Sequence, residues 1–364
     1  MEKRVFDFSP GPAVLPVSVL EEAQRSLVCM PGAGISILEM SHRSAIFTKI
    51  IETAEANLRT LLGIPENYHV LFLQGGAHLQ FAMIPMNLLH GTGKSADYIV
   101  TGSWSKKALP EAKRQGEARV AWDGAPTNFT RVPTNSELDL NPDAAYAYIA
   151  SNETIQGVQF QAEPEVGNVP LMCDASSDFL HRPLPIDKYG LVYACAQKNL
   201  GPAGVTVVVI RDDLVQQSAE NLPPMLSYRV MAENKSLYNT APVFAVYVVK
   251  LVTDWLVNEI GGLDKMHAIN KKKAKLLYDV IDQANGFYDG HADPASRSLM
   301  NVTFRLPKPE LEKAFVDEAA QRDLHSLKGH RSVGGFRASI YNAMPMEGVE
   351  RLAEFMAGFA KKNG

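Results

Sequence analysis

Short apolar runs recur through the first two thirds of the chain, and each ends in glycine or polar residues. They lie at 69–73, 96–100, 146–150, 170–173 and 191–196, with mostly helical or irregular stretches between them. Runs of this length predict buried strands, and their alternation with helices predicts a parallel sheet. The pattern therefore indicates an α/β fold, and one more apolar run at 205–210 completes the set of strands.

Helical periodicity dominates the remaining pattern. Predicted helices cover 18–27, 47–62, 243–259, 263–284, 311–321 and 346–361. Gly261 and Gly262 end the long helix at 243–259, as glycines commonly do. The next helix leads into a smaller domain, where 299–306 and 331–341 are predicted to contain strands.

The strongest chemical signals are a lysine and an aspartate, each at the end of a predicted strand. Lys198 follows the run at 191–196 and precedes a glycine-rich turn, where desolvation favours the nucleophilic neutral amine. Asp174 ends the preceding strand. Lysine can form a Schiff base with pyridoxal phosphate, and aspartate can keep its pyridine nitrogen protonated. A lysine that snorkels to the surface and an aspartate that caps a turn are the alternatives.

Other candidates fall at the same end of the predicted strands. Gly75 and Gly76 open a helix whose N–H groups could hold a phosphate, and Trp104 could stack on a flat ring. A tight turn and a core tryptophan are the simpler interpretations. In an open parallel sheet, however, the carboxyl edge is where ligands bind. The shared position of these residues therefore strengthens the cofactor hypothesis more than any single motif does.

Composition narrows the class of protein. The 364 residues are 46% hydrophobic and 21% charged, with a net charge of −4, which is typical of a globular protein. The only basic block, 271–273, is predicted to be a solvated helix face, and nucleic acid is not an expected partner. Three cysteines, Cys29, Cys173 and Cys195, lack the spacing of a disulfide framework or a metal site. The start lacks an apolar signal core and the run at 243–249 is too short for a bilayer, so we expect a cytoplasmic protein without a membrane partner.

Several motifs carry a resemblance to a known family. They are Asp-Ala-Ser-Ser-Asp at 174–178, Ala-Gln-Lys-Asn-Leu-Gly-Pro-Ala-Gly at 196–204, Ser-His-Arg at 41–43 and Gly-His-Arg-Ser-Val-Gly-Gly-Phe-Arg-Ala-Ser-Ile-Tyr-Asn-Ala at 329–343. Together with Phe-Ser-Pro-Gly-Pro-Ala at 8–13, they resemble the phosphoserine aminotransferase family. That family belongs to the class V group of fold-type I pyridoxal-phosphate-dependent transferases. The resemblance implies an N-terminal segment at 1–15, a large cofactor-binding domain at 16–261 and a small C-terminal α/β domain at 262–364.

The resemblance also assigns cofactor contacts. Lys198 would carry the cofactor and act as the general base, and Asp174 would face the pyridine nitrogen. Trp104 would stack on the ring, and Thr154 would contact its hydroxyl side. The phosphate would be held by Ala77, His78 and Gln197, and by Asn239 and Thr240 of a second subunit, which makes the enzyme a homodimer with shared active sites. Some family members have arginine where this chain has His78, so any contribution of that side chain stays open.

For the substrates, the resemblance implies amino transfer between glutamate and 3-phosphohydroxypyruvate, which gives phosphoserine and 2-oxoglutarate. Arg337 would bind the α-carboxylate, and the remaining substrate contacts would come from Ser9, His42, Arg43, His330 and Arg331. A helix cap for 41–43 and a solvated turn for 330–331 are the structural alternatives. An alanine-glyoxylate type aminotransferase, a cysteine desulfurase and a non-catalytic cofactor-binding module remain as other functions. Use of a longer phosphorylated keto acid from pyridoxine synthesis stays open, and no metal is expected.

Overall fold

The computed structural model describes residues 4–364, and this part of the chain has the predicted α/β architecture. The strands are β1 Phe6–Asp7, β2 Tyr68–Leu73, β3 Ser95–Val100, β4 Glu117–Asp123, β5 Tyr146–Ala150, β6 Asn152–Glu153, β7 Val158–Gln159, β8 Leu171–Asp174, β9 Tyr189–Cys195, β10 Thr206–Arg211, β11 Asp289–Gly290, β12 Asn301–Arg305, β13 Leu324–His325 and β14 Phe336–Ser339. The helices are α1 Val17–Val28, α2 Ala45–Leu62, α3 Gly76–Leu88, α4 Ser103–Lys113, α5 Asp212–Gln216, α6 Tyr228–Glu233, α7 Val243–Asp254, α8 Leu263–Gln283, α9 Leu311–Ala320 and α10 Met346–Asn363. The helix predicted at 243–259 has two parts in the structure. Helix α7 ends at Asp254, and Trp255–Ile260 continues it as a π-helix that is capped by Gly261.

A seven-stranded sheet in the order β2-β10-β9-β8-β5-β3-β4 organises most of the chain. The strands β9, β8, β5, β3 and β4 pair in parallel. Strand β10 pairs antiparallel with both β9 and β2, so β2 runs in the same direction as the parallel strands. The carboxyl ends of six strands therefore share one edge, as the sequence pattern predicted.

Both faces of this sheet are buried, which explains why its strands read as continuous apolar runs. In β10, Val207 and Val209 belong to the hydrophobic core on one face, and Val208 and Ile210 belong to the core on the other. Helices α2 and α7 cover the first face, and α3 and α4 cover the second. The inner strands thus contribute alternate side chains to two cores, whereas the edge strand β4 is largely exposed.

A third core lies in the C-terminal part of the chain. It gathers α8, α9, α10 and the sheet β11-β12-β14. Phe8 of the N-terminal segment is fully buried in this core, and β1 pairs with β13. The N-terminal segment therefore packs on the C-terminal part. The division at residues 15 and 261 stays a prediction.

The predicted solvated face at 271–273 is wrong for Lys273. This side chain is fully buried, and its ammonium donates to the carbonyl oxygens of Ile340, Tyr341, Asn342 and Met344 at 2.7–3.4 Å. Burial lowers the pKa of Lys273 to about 7. Helix α8 turns this position toward the core, and the carbonyls of the turn after β14 replace the water that the amine loses.

The remaining compositional expectations concern cysteines and membranes. Cys173 and Cys195 are buried within strands, and Cys29 is exposed. Among residues 4–364, none of the helices is both long enough and apolar enough to cross a bilayer.

Candidate active site

A cavity of about 220 Å³ opens at the shared carboxyl edge of the sheet. Its walls come from the segments that follow β2, β3, β5, β8 and β9. The lining residues are Gly76, Ala77, His78, Trp104, Asn152, Thr154, Asp174, Ser176, Ser177, Cys195, Gln197 and Lys198. Seven residues predicted from sequence to bind or react with a cofactor thus lie around one space.

Lys198 and Asp174 provide the cavity with an amine and a carboxylate. The Lys198 amine donates to Thr154 Oγ1 at 2.9 Å and stands 5.8 Å from the centre of the Trp104 ring. Asp174 is buried, and its Oδ1 accepts from the Ser176 N–H at 2.9 Å. Burial raises the pKa of Asp174, and hydrogen bonds from Ser176 and the nearby Lys198 charge oppose that rise. The site therefore offers a positioned amine together with a carboxylate that gains from a cationic partner.

The turn between β2 and α3 requires glycine for its backbone conformation and for its close packing. Gly75 has a φ of 89° and Gly76 a φ of 65°, and a Cβ on Gly75 would lie 2.4 Å from the Leu79 side chain. The first N–H groups of α3, at Gly76, Ala77 and His78, line the cavity and have no intrahelical acceptor. A helix N-terminus of this kind attracts an anion such as phosphate.

Trp104 lies in the first turn of α4 with its ring beside that of His78, at a centroid distance of 5.9 Å. Its buried Nε1 has no partner. The imidazole of His78 therefore contacts an aromatic wall of the cavity. Trp104 thus lines the cavity, and its half-buried side chain also packs against the core beneath α3 and α4.

Arg337 lies next to the cavity on β14. The guanidinium is buried, and one nitrogen donates to the Thr154 carbonyl at a long 3.4 Å while Nε has no partner. Burial lowers the pKa of Arg337. Among the described residues, no carboxylate forms an ion pair with it. A buried guanidinium of this kind is prepared for an anionic ligand.

His330, Arg331 and Ser9 lie farther from the cavity lining. The His330 Nδ1 contacts Ser332 Oγ at 2.7 Å, and burial followed by the charges of Arg337 and Arg331 lowers the pKa of His330. Arg331 is exposed. Ser9 belongs to a segment in which Ala13 donates its N–H to the Gln197 carbonyl at 2.8 Å. None of these three residues lines the cavity, and their substrate roles stay predictions.

Four further predicted residues also do not line the cavity of their own chain. His42 and Arg43 precede α2, and Ser44 caps that helix by accepting from the Phe47 N–H. Asn239 and Thr240 both contact Gln74, directly after β2, at 3.4 Å. Their role at the site of a second subunit stays a prediction.

Sequence reasoning missed four residues at the site. Asn152, Ser176 and Ser177 line the cavity, and Glu153 lies directly beneath it. Asn152 donates to Ser177 Oγ and to Asn301 Oδ1, both at 2.8 Å. The signal that could have found them is their position, since each follows the carboxyl end of β5 or β8.

Comparisons with known proteins define the class first. A family model described as aminotransferase class-V matches residues 5–352, and the chain belongs to this family. Class V aminotransferases depend on pyridoxal phosphate, so the family confirms the predicted class of cofactor. The predicted fold-type I architecture is confirmed as well.

Individual relatives narrow the resemblance further. A phosphoserine aminotransferase from Rhodopirellula baltica is 56% identical over 99% of this chain and 96% of its own length. The solved phosphoserine aminotransferase from Bacillus circulans subsp. alkalophilus is 52% identical over the whole of both chains, with a TM-score of 0.97. A PLP-bound phosphoserine aminotransferase structure from Trichomonas vaginalis is 42% identical over 97% of this chain and 99% of its own, with a TM-score of 0.91. These similarities confirm the resemblance that the motifs indicated.

Proposed function

We propose that this protein is a pyridoxal-phosphate-dependent phosphoserine aminotransferase that moves an amino group between glutamate and 3-phosphohydroxypyruvate. The observation that carries the proposal is one cavity that brings together Lys198, Asp174 and a helix N-terminus, with the unpaired guanidinium of Arg337 beside it. Relatives named phosphoserine aminotransferase, which are 50–56% identical over nearly the full chain, support it.

The side chains present fit pyridoxal phosphate. The cofactor, when bound, supplies an electron sink for the substrate Cα. Asp174 would keep the pyridine nitrogen protonated, and the N–H groups of Ala77 and His78 would hold the phosphate. Trp104 would exclude water from one face of the ring. Lys198, whose amine already faces Thr154, moves the proton at the substrate Cα.

Substrate recognition follows from the cations at the rim. Arg337 orients the α-carboxylate, which both amino donors and keto acceptors carry. His42, Arg43, His330 and Arg331 bind the phosphate of one substrate and the side-chain carboxylate of glutamate. Ser9 completes the entrance. A site with several cations suits doubly anionic substrates better than alanine and glyoxylate, which carry a single carboxylate.

We further propose a homodimer with shared active sites. Large apolar side chains are exposed on α1 and on the segment after it, namely Val17, Val28, Ile35 and Leu38 at 44–86%. Exposed apolar side chains concentrated in one stretch of the chain suit an interface. His42 and Arg43 follow the same segment, and a buried oxygen of Asn239 has no partner. In the dimer these residues reach the neighbouring subunit's site. We place the enzyme in the cytoplasm, where the free cysteines stay reduced.

The direct test is an amino-transfer assay with purified protein loaded with pyridoxal phosphate. Glutamate and 3-phosphohydroxypyruvate should give 2-oxoglutarate and phosphoserine. Lys198→Ala should abolish turnover while the protein stays folded, and Lys188→Ala, at an exposed lysine, should not. Faster turnover of alanine with glyoxylate would contradict the proposal. The same assay with a four-carbon phosphorylated keto acid decides whether pyridoxine synthesis is a second use.

A further inference from the structure

Glu153 is a buried carboxylate next to the candidate active site, and the amino-transfer chemistry does not use it. It is fully buried, and among the described residues no lysine, arginine or histidine forms an ion pair with it. Its neighbours in the chain, Asn152 and Thr154, line the cavity. Because side chains alternate along an extended segment, Glu153 points the other way, beneath the cavity floor.

The carboxylate of Glu153 accepts three hydrogen bonds from the start of helix α4. One oxygen accepts from the Trp104 N–H at 2.8 Å. The other accepts from the N–H of Ser105 at 2.9 Å and from its hydroxyl at 2.6 Å. The first N–H groups of a helix lack intrahelical acceptors and carry partial positive charge. A residue 49 positions away in the sequence therefore serves as the N-terminal cap of α4.

The residue at the usual capping position makes room for this contact. Gly102 precedes α4 and has no side chain with which to cap it. A Cβ at Gly102 would lie 2.5 Å from both Cγ and Cδ of Glu153. Its φ of 176° is extended backbone, so space and not backbone conformation requires glycine there. The glycine and the carboxylate therefore form one arrangement.

This arrangement ties together two walls of the cavity. Trp104, which supplies the aromatic wall, receives its backbone anchor from Glu153. Thr154, the next residue after Glu153, accepts from the Lys198 amine at 2.9 Å. Burial raises the pKa of Glu153, while hydrogen bonds from Ser105 and Trp104 oppose that rise. A shift of Glu153 would move the indole and the lysine partner relative to each other.

We propose that Glu153 is a positioning residue for the cofactor: by capping α4 it fixes Trp104 against the ring and Thr154 against Lys198. The proposal rests on the proposed function, since it assumes that pyridoxal phosphate occupies the cavity. Glu153 does not contact the reacting atoms. Its role is to set the angle and distance at which the indole meets the cofactor ring.

The test uses Glu153→Gln, which is similar in size but presents an NH₂ group where the helix offers only donors. Affinity for pyridoxal phosphate is measured by titrating cofactor-free protein and following its fluorescence. The visible circular dichroism of the bound cofactor reports the ring's tilt. We expect affinity to fall by about tenfold or more, which corresponds to loss of about one charge-assisted hydrogen bond. The dichroism per unit absorbance should also change.

Two further variants separate positioning from general damage. Glu163→Gln also removes a mostly buried carboxylate, one that pairs with Arg182 at 2.7 Å and lies outside the cavity lining. It should lower stability without changing cofactor affinity or dichroism. Gly102→Ala should reproduce the effects of Glu153→Gln, because the new methyl group displaces the carboxylate. If Glu153→Gln does not fold, Ser105→Ala should still change the dichroism; it removes the hydroxyl that donates to Glu153 and accepts from the N–H groups of Thr101 and Gly102.

The outcomes distinguish this proposal from the proposed function. Wild-type affinity and dichroism in Glu153→Gln would overturn the positioning role and leave the amino-transfer function standing. The same result in Gly102→Ala would overturn it as well. Failure of the wild-type protein to bind pyridoxal phosphate would instead refute the proposed function.

Discussion

Replacing Arg337 by methionine should make the cofactor-free protein more stable and the enzyme much less active. The guanidinium has five N–H donors, but the described structure provides one protein contact, at 3.4 Å, and leaves Nε without a partner. Only 6% of the residue is exposed, so water replaces few of the missing acceptors. Methionine has a similar length and fills the site without a charge.

The expected gain in stability follows from this uncompensated burial. Replacing buried ionic groups by hydrophobic residues stabilises proteins by about 1–4 kcal/mol. Because Arg337 has no carboxylate partner to lose, we expect a gain within that range. Chemical denaturation of both cofactor-free proteins, compared by midpoint and slope, measures it.

Although the variant should be more stable, it should be a poorer enzyme. Removing one partner of a buried, hydrogen-bonded charge pair costs about 2–5 kcal/mol, or about 30-fold to 5,000-fold in kcat/KM. Both half-reactions should lose to a similar extent, because every substrate carries the α-carboxylate. Single-turnover measurements with glutamate, and separately with the phosphorylated keto acid, measure the two half-reactions independently.

Arg297→Met is the matched control. Arg297 pairs with Asp282 through contacts of 2.6 and 2.7 Å, so its loss should lower stability and leave activity unchanged. A less stable Arg337→Met protein would refute the idea of an uncompensated charge. Loss confined to one half-reaction would show that Arg337 binds a side-chain group and not the α-carboxylate.

Three other outcomes follow from the structure. Asp174→Asn should weaken cofactor binding and lower the rate at least a hundredfold, as a rough estimate, because an amide cannot hold the pyridine nitrogen protonated; near-normal turnover would assign that role to another residue. The pKa of Lys273 in the folded protein, about 7, lies below the usual lysine value of 10.5. Between these two values the folded protein binds fewer protons than the unfolded chain, so its free energy of unfolding should rise with pH in that window and stay constant below it. Denaturation of wild type and Lys273→Met at pH 7 and pH 9 checks this. The free energy of unfolding of wild type should rise relative to that of the variant between the two pH values. A constant difference would mean that the carbonyl oxygens keep the amine charged. Co-refolding inactive Lys198→Ala and Arg43→Ala chains should restore up to about half of the wild-type activity per mixed dimer if the sites are shared and independent, and proven mixed dimers without activity would refute sharing.

Local sequence patterns determined the sheet and most of the cofactor site. Apolar runs predicted six of the seven strands, because those strands are buried on both faces and most of their positions are hydrophobic. The edge strand β4 is largely exposed and mixed in sequence, so no apolar run indicated it. Candidate residues such as Lys198 and Asp174 follow those runs directly. Parallel strands bring their carboxyl ends to one edge, and proximity in space therefore followed from position along the chain.

Only the tertiary structure decided which polar residues are buried and what they contact. Lys273 lies in a run of three lysines, yet a turn near residue 342 surrounds its amine with carbonyl oxygens. Glu153 caps a helix that begins 50 positions earlier, and Arg337 reaches a carbonyl 183 positions away. Hydrophobic periodicity indicates whether a position faces a core. Hydrogen bonds between distant segments produce no periodic pattern in the sequence, so the sequence does not predict them. The partners of buried charges therefore follow from how the folded elements meet, because each such charge needs an acceptor or donor that another part of the chain supplies.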